Sequence, residues 1–184
     1  IIMIRSPDNH NLIDVCDQEG LTIFAGRYVR RIHATKTAPP TDCELSLKTY
    51  KEIDLGPFSS HPSVVIYILS NEMPYEGKVG DLYRDFLTRM YQELKKWDST
   101  RLYICNAGYG LGKSADIYDV HRYWGWYYNS FLTYLNMRDK DMWQNPGKVQ
   151  PITFTECVGN YTGIDGRFNL CSRTKQPGSQ KCWT

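Results

Sequence analysis

Apolar residues along this chain fall into two alternating patterns. Short runs with little polar interruption, "IIMIR", "LTIFAGRY", "SVVIYIL", "RLYICNA", "IYDVHRYW" and "PITFTE", have the length and the β-branched and aromatic content of buried strands. Between them the apolar spacing widens to that of helices. "HNLIDVCDQEG" predicts a helix with Leu12, Val15 and Cys16 on one face and Gly20 as its stop. Residues 41–55 open with Thr41 and Glu44 at capping-box spacing and carry Cys43, Leu47 and Tyr50 at helical intervals. "DLYRDFLTRMYQELKKW" repeats Leu82, Phe86, Met90 and Leu94 every fourth residue, with Tyr83, Leu87, Tyr91 and Trp97 widening the stripe. "NSFLTYLNMRDKDMW" can also be helical, and a tail rich in Gly, Asn and Ser follows the last strand.

Strands that are apolar on both faces and alternate with helices predict parallel β/α units. Six strand candidates stand where a closed barrel needs about eight, so either one unit is missing at each end or the sheet is open. At 184 residues and 41% hydrophobic content, one domain with a real core is expected.

Net charge is only +2 and the basic residues are dispersed, so neither nucleic acid nor an anionic membrane is implied as a partner. No window approaches the run of about eighteen apolar residues that spans a bilayer. The six cysteines, at 16, 43, 105, 157, 171 and 182, form no C-x-x-C pair and have no histidine at metal-finger spacing. Most are expected as free thiols, with a Cys171–Cys182 disulfide conceivable in the polar tail. The chain opens with "IIMIRS", inside a strand and without an initiator Met, so it is expected to be a piece of a longer protein. Its compartment stays open between periplasm, cytoplasm and secretion.

In parallel β/α architectures chemistry collects at the carboxyl ends of the strands. Glu72 closes the third strand and Glu156 the sixth. A carboxylate ending a buried strand costs several kcal/mol of desolvation unless something polar receives it. Two at equivalent ends could face each other as the acid and nucleophile of a retaining glycosidase, about 5–5.5 Å apart; a salt bridge from each to an Arg is the plainer alternative.

Along the fifth strand Asp119, His121 and Tyr123 share one face, which is expected to look into the barrel mouth. A hydrogen-bonded polar layer suits them better than a metal site of Asp116, Asp119 and His121. Beyond the strand, Trp124, Trp126, Tyr127 and Tyr128 could stack on a pyranose or simply pack a loop. "AGYGLGKS", residues 107–114, imitates a phosphate-binding loop, but the next strand begins too soon after Ser114 for the helix that such a loop must start.

Four segments together resemble glycoside hydrolase family two, the β-galactosidases, β-glucuronidases and β-mannosidases. "HPSVVIYILSNE" resembles the family's HPSV…W-S-x-G-N-E segment, and "HRYWGWYY" the N-R-Y-Y-G-W-Y segment of its β-glucuronidase branch. "PITFTECVG" is similar to the strand that delivers the nucleophile, and "MIRSPDNHNLIDVCDQEGL" to the R-x-S-H…D-x-C-D-E-x-G stretch. The order is right, and the strand-end Glu follows the Asn-Glu motif by 84 residues.

The resemblance implies a (β/α)8 TIM barrel of which this chain carries strands two to seven, an incomplete barrel within a larger multidomain glycosidase. It implies Glu72 as general acid/base, Asn71 as donor to the sugar 2-hydroxyl and Glu156 as nucleophile. Tyr123 would hydrogen-bond the nucleophile, Trp126 would line the sugar site, Arg5 would support the barrel mouth and His10 would take the role of the family's His. His121 stands where the glucuronidase segment has Asn, and "SNE" replaces "GNE", so the sugar can differ. The expected partners are a glycoside or oligosaccharide substrate and the missing barrel units and accessory β-sandwich domains of the parent chain. No cofactor is required. A non-catalytic carbohydrate-binding barrel is the alternative from another class, and nucleotide binding at 107–114 the third.

Overall fold

The computed structural model describes residues 2–4, 10–26, 37–108, 115–121, 150–156, 161–162 and 168–169. All six predicted strands are present. They are β1 (Ile2–Ile4), β2 (Ile23–Ala25), β3 (Val64–Ile68), β4 (Leu102–Ile104), β5 (Tyr118–His121) and β6 (Ile152–Glu156). A two-residue antiparallel pair, β7 (Tyr161–Thr162) and β8 (Phe168–Asn169), follows. β1 to β4 form one parallel sheet in chain order, and β5 pairs parallel with β6. The amides of Asp116 and Ile117 donate to the Tyr103 carbonyl, and that of His121 to the Gly108 carbonyl, which lays β5 beside β4. The six strands therefore follow one another in sequence order, as right-handed β/α crossovers produce.

Three helices pack on one face of this sheet or lead onto it: α1 (His10–Glu19), α2 (Cys43–Thr49) and α3 (Gly77–Trp97). Strand side chains alternate in direction, so β3 feeds two cores at once, and a register irregularity against β2 at Val64–Ile66 turns Val64 to the same side as Tyr67 and Leu69. These three join Ile13 and Cys16 of α1 and Tyr83, Leu87, Met90 and Leu94 of α3 in the layer between sheet and helices. Ile66 and Ile68 turn the other way, into a smaller cluster with Phe24, Ile104, Ala107 and Ile117. β4 repeats the division, with Tyr103 and Cys105 toward the helices and Ile104 and Ala107 away from them.

The helices differ from expectation in detail. α1 stops at Gly20, whose φ of +67° costs nothing without a Cβ, and the Leu21 amide closes the end by donating to the Cys16 carbonyl. Its buried pair is Ile13 and Cys16, while Val15 is exposed. α2 is capped not by Thr41 but by Asp42, whose carboxylate accepts the Leu45 amide at 2.8 Å; a charged oxygen is the stronger partner for a helix start. A wider turn over Tyr50–Asp54 continues α2. α3 begins four residues earlier than its apolar stripe, at Gly77, and rotates that stripe onto Tyr83, Phe86, Leu87, Met90 and Leu94, leaving Leu82 exposed.

The amino end of β3 is pinned by side chains. Arg101 Nε donates to the Val64 carbonyl, its NH2 to those of Ser59 and His61, and its NH1 to Asp98 at 2.7 Å. Burial pushes the Asp98 carboxyl up, but the hydroxyl and amide of Thr100 and the Arg101 guanidinium outweigh it and hold the pKa at about 2. Beside it Asp17 accepts the Ser63 amide at 2.9 Å and lies 2.7 Å from His61 Nδ1. Its pKa is lowered: burial opposes ionisation and the Ser63 and His61 hydrogen bonds overcome it. Among the described residues no helix is long and apolar enough to cross a membrane, and Cys16, Cys43 and Cys105 are free thiols. Cys157, Cys171 and Cys182 lie outside the described residues, as do the expected helix at 129–143 and residues 109–114 of the phosphate-loop-like segment.

Candidate active site

At its carboxyl end β3 does not stop where its regular pairing stops. The Leu69 amide donates to the Ile104 carbonyl, the Ala107 amide to Ser70 and the Glu72 amide to Ala107, so the ladder with β4 runs on through the Asn71–Ala107 bridge. Asn106 locks this extension. Its Oδ1 accepts the Met73 amide at 3.0 Å while its Nδ2 donates to the Met73 carbonyl at 3.0 Å, a two-point clamp with no exposed surface. Ser70, equally buried, donates its hydroxyl to the Cys105 carbonyl at 2.6 Å. Glu72 sits between these fixed points with φ +49°, a left-handed conformation that non-glycine residues adopt at a cost of about 1–3 kcal/mol. Such strain is held in place by the bonds on either side, and it turns the carboxylate away from the ladder toward β5.

There Glu72 Oε1 lies 2.9 Å from Nδ1 of His121, whose side chain is 3% exposed against 35% for Glu72. On the other side of the imidazole, Nε2 is 3.0 Å from the Thr155 hydroxyl of β6. Asp119 lies behind, with no exposed surface. Its Oδ1 accepts from the Thr153 hydroxyl at 2.6 Å and the Thr155 amide at 3.1 Å. Its Oδ2 accepts from the Gly108 amide at 2.9 Å and the Thr155 hydroxyl at 2.7 Å. A buried carboxylate is tolerable when its lone pairs are met in this way.

Gly108 matters by what it lacks. Its φ is +93°, and a Cβ there would stand 2.6 Å from His121 Nδ1. Only glycine lets the ring lie against the β4 exit.

The structure thus brings together Glu72, His121 and Asp119, with Asn71 on the ladder beside them. Glu156 ends β6, and its Cα is the register partner of the His121 Cα. His10 opens α1, while Arg5, Tyr123, Trp124 and Trp126 lie outside the described residues. Among the described residues the partner of the Glu72 carboxylate is His121.

Asp119 has both oxygens engaged by protein donors, the hydrogen-bonded layer expected on this face of β5. The metal grouping of Asp116, Asp119 and His121 does not assemble, because Asp116 faces α3, bonding Lys95 at 3.1 Å, Tyr91 and the Tyr103 amide. Among the described residues metal-ligand spacing occurs instead at Asp14, Asp17 and His61, at the opposite end of β3.

The matching family is described as "Glycosyl hydrolases family 2, TIM barrel domain", and the match runs over residues 5–176. The chain belongs to that family. Family 2 barrels carry the (β/α)8 fold, and the solved structures agree. The β-D-glucuronidase of Dictyoglomus thermophilum is 20% identical, with a TM-score of 0.58, covering 83% of this chain and 29% of that one. The Bifidobacterium dentium β-glucuronidase, solved with coumarin-3-O-glucuronide, is 19% identical with a TM-score of 0.59, covering 91% and 29%. The Parabacteroides merdae β-glucuronidase is 17% identical with a TM-score of 0.54, covering 84% and 19%. This family 2 chain therefore spans less than a third of the length of each of these proteins. No curated protein matches its sequence.

Sequence patterns had pointed to Glu72, His121 and Asp119. They did not point to Asn106, Gly108, Thr153 or Thr155, which hold the other three. One signal was available in "ITFTE": two hydroxyl residues spaced by two on a buried strand share a face, and that face ran toward the site.

Proposed function

We propose that residues 1–184 form one catalytic-barrel segment, strands two to seven, of a larger multidomain exo-acting β-glycosidase that works with retention of configuration. The observation that carries the proposal is the place of two strand-end acidic residues beside one buried histidine, His121: Glu72 meets it through its side chain, and Glu156 is level with it on the next strand. In this scheme Glu156 attacks the anomeric carbon to give a glycosyl-enzyme, while Glu72 protonates the departing oxygen and then takes a proton from the attacking water. Asn71, one residue before the acid, donates to the sugar 2-hydroxyl. Tyr123 hydrogen-bonds the nucleophile, Trp124 and Trp126 supply ring surface for the pyranose, and Arg5 and His10 support the mouth.

A β-glucuronide or a β-galactoside is the substrate class favoured, by likeness to the glucuronidase segment. In the intact protein, Glu156→Gln abolishes hydrolysis of aryl β-glycosides. Glu72→Ala slows substrates with poor leaving groups by about 10²-fold or more and good ones far less, since only the former need the acid. Proton NMR of the first-formed product shows the β-anomer; an α-anomer, or equal losses in Glu72→Ala on all leaving groups, contradicts the proposal.

A further inference from the structure

The hydrogen bonds around Asp119 fix where the protons of His121 must be. Asp119 accepts four of them, two from backbone amides, one on each oxygen, so both its oxygens are engaged as acceptors. Thr155 has a single hydroxyl hydrogen, and the carboxylate 2.7 Å away takes it. Toward His121 the Thr155 oxygen therefore offers only lone pairs, and so does Asp119 Oδ2, 3.5 Å from the same ring nitrogen. Nε2 must carry hydrogen. A neutral imidazole has one N–H, so Nδ1 is then a bare lone pair, and it faces Glu72 Oε1 at 2.9 Å.

Carboxylate against lone pair is repulsive. The contact is attractive only with one proton in it, as the Glu72 acid donating to Nδ1 or as an imidazolium donating to the carboxylate. Among the described residues, Glu72 comes from the β3 exit, Gly108 from the β4 exit leaves room for the ring, Asp119 shares β5, and β6 brings Thr155.

We propose that His121 is a positioning residue for the acid/base: locked as the Nε2–H tautomer by Thr155 and Asp119, it holds one proton on the Glu72–His121 pair and so keeps Glu72 armed as an acid. The inference rests on Glu72 being the acid/base. When Glu72–H gives its proton to the leaving oxygen, its new carboxylate faces the Nδ1 lone pair, a contact with no proton in it. It then takes a proton from the water whose oxygen bonds the anomeric carbon, and the pair returns to its starting state with no net gain or loss of protons. The Asn of the glucuronidase segment cannot impose this, because an amide can turn either its N–H or its C=O to the acid.

The test is ¹⁵N NMR of histidine-labelled intact protein, with His121 assigned among the four histidines by His121→Asn. His121 should appear as the Nε2–H tautomer or, at lower pH, as imidazolium. Glu72→Gln replaces the facing acid by an amide whose N–H can meet the Nδ1 lone pair, so the Nε2–H form should persist in that variant. Thr155→Val removes the acceptor at similar shape and should let the Nδ1–H form appear; should His121→Asn fail to fold, His121 is assigned instead by substituting His10, His33 and His61 one at a time. On aryl β-glycosides His121→Asn should lose about tenfold or more in kcat with poor leaving groups, shift the basic limb of the pH profile, and leave the best leaving groups nearly unchanged.

An Nδ1–H tautomer in the wild-type protein, or in Glu72→Gln, overturns the inference. Either result in an enzyme that turns over glycosides leaves the proposed function standing. A protein with the expected tautomer that hydrolyses no glycoside upholds the proton arrangement and removes the function.

Discussion

Replacing Gly108 by Ala is the sharpest structural perturbation of this site, because one methyl group meets one ring. The added Cβ would lie 2.6 Å from Nδ1, 2.7 Å from Cγ and 3.1 Å from Cε1 of His121. Restoring contact at about 3.5 Å needs a retreat of about 0.9 Å. A shift of that size away from Glu72 stretches the 2.9 Å contact beyond hydrogen-bonding range. Two costs then add. Holding an L residue at φ +93° costs about 1–3 kcal/mol, and losing the buried hydrogen bond about 1 kcal/mol more. The sum is about 2–4 kcal/mol, which at roughly 2–4 °C per kcal/mol for a chain of this size predicts a fall in Tm of about 5–15 °C. Thermal and urea denaturation measure it. A double-mutant cycle with His121→Ala separates the parts: without the ring only the backbone cost should remain, giving a coupling of about 1 kcal/mol or more. If Gly108→Ala melts like the wild type, or costs the same in both backgrounds, the ring does not depend on the missing Cβ.

Three other predictions concern the frame that holds the site. Arg101→Lys keeps the charge but cannot serve the Val64, Ser59 and His61 carbonyls and Asp98 together, so stability should fall by about 2–4 kcal/mol in urea titration; a change below about 0.5 kcal/mol would rule out the clamp. Asp98, with its folded pKa of about 2 below the ordinary 3.8, contributes stability that is present above pH 4 and lost as pH falls through 2; this is worth about 2 kcal/mol, and Asp98→Asn should flatten that part of the acid denaturation curve. At position 72, where φ is +49°, Glu72→Gly should be as stable as or more stable than Glu72→Ala by up to about 1 kcal/mol, reversing the usual order of the two residues; the ordinary order would show that the backbone is not strained there.

The succession of strands and helices and the strand-end carboxylate at Glu72 were legible in the sequence for a physical reason: both rest on local contrast. Unbroken apolar runs stand out from helical spacing, and a carboxylate closing such a run stands out from both. What stayed hidden depends on register between strands remote in sequence. Thr155 becomes an acceptor for His121 only because β6 pairs beside β5, and Asn106 becomes a clamp only because β4 carries it level with Met73. Val15 and Leu82 misled because an apolar stripe wider than the buried face does not say which edge is covered. Thr41 misled because two capping residues stood side by side and the charged one won.

Asp119 shows why the site is arranged as it is. A fully buried carboxylate costs several kcal/mol, and even when paired it seldom stabilises a fold more than a well-packed apolar residue would. Among the described residues no Lys or Arg neutralises it; amides and hydroxyls from β4 and β6 do the work of a counter-ion. Stability alone does not account for such a group at that position. Its consequence is directional: a carboxyl group engaged as acceptor at both oxygens forces the Thr155 hydroxyl toward itself, the hydroxyl forces a hydrogen onto Nε2, and the ring then has only a lone pair left for Glu72. One buried carboxyl group thereby sets the proton on another three hydrogen bonds away, across three strands, without touching it. The same chain of constraints explains the glycine at 108 and the threonines at 153 and 155, each of which an apolar core would fill more cheaply.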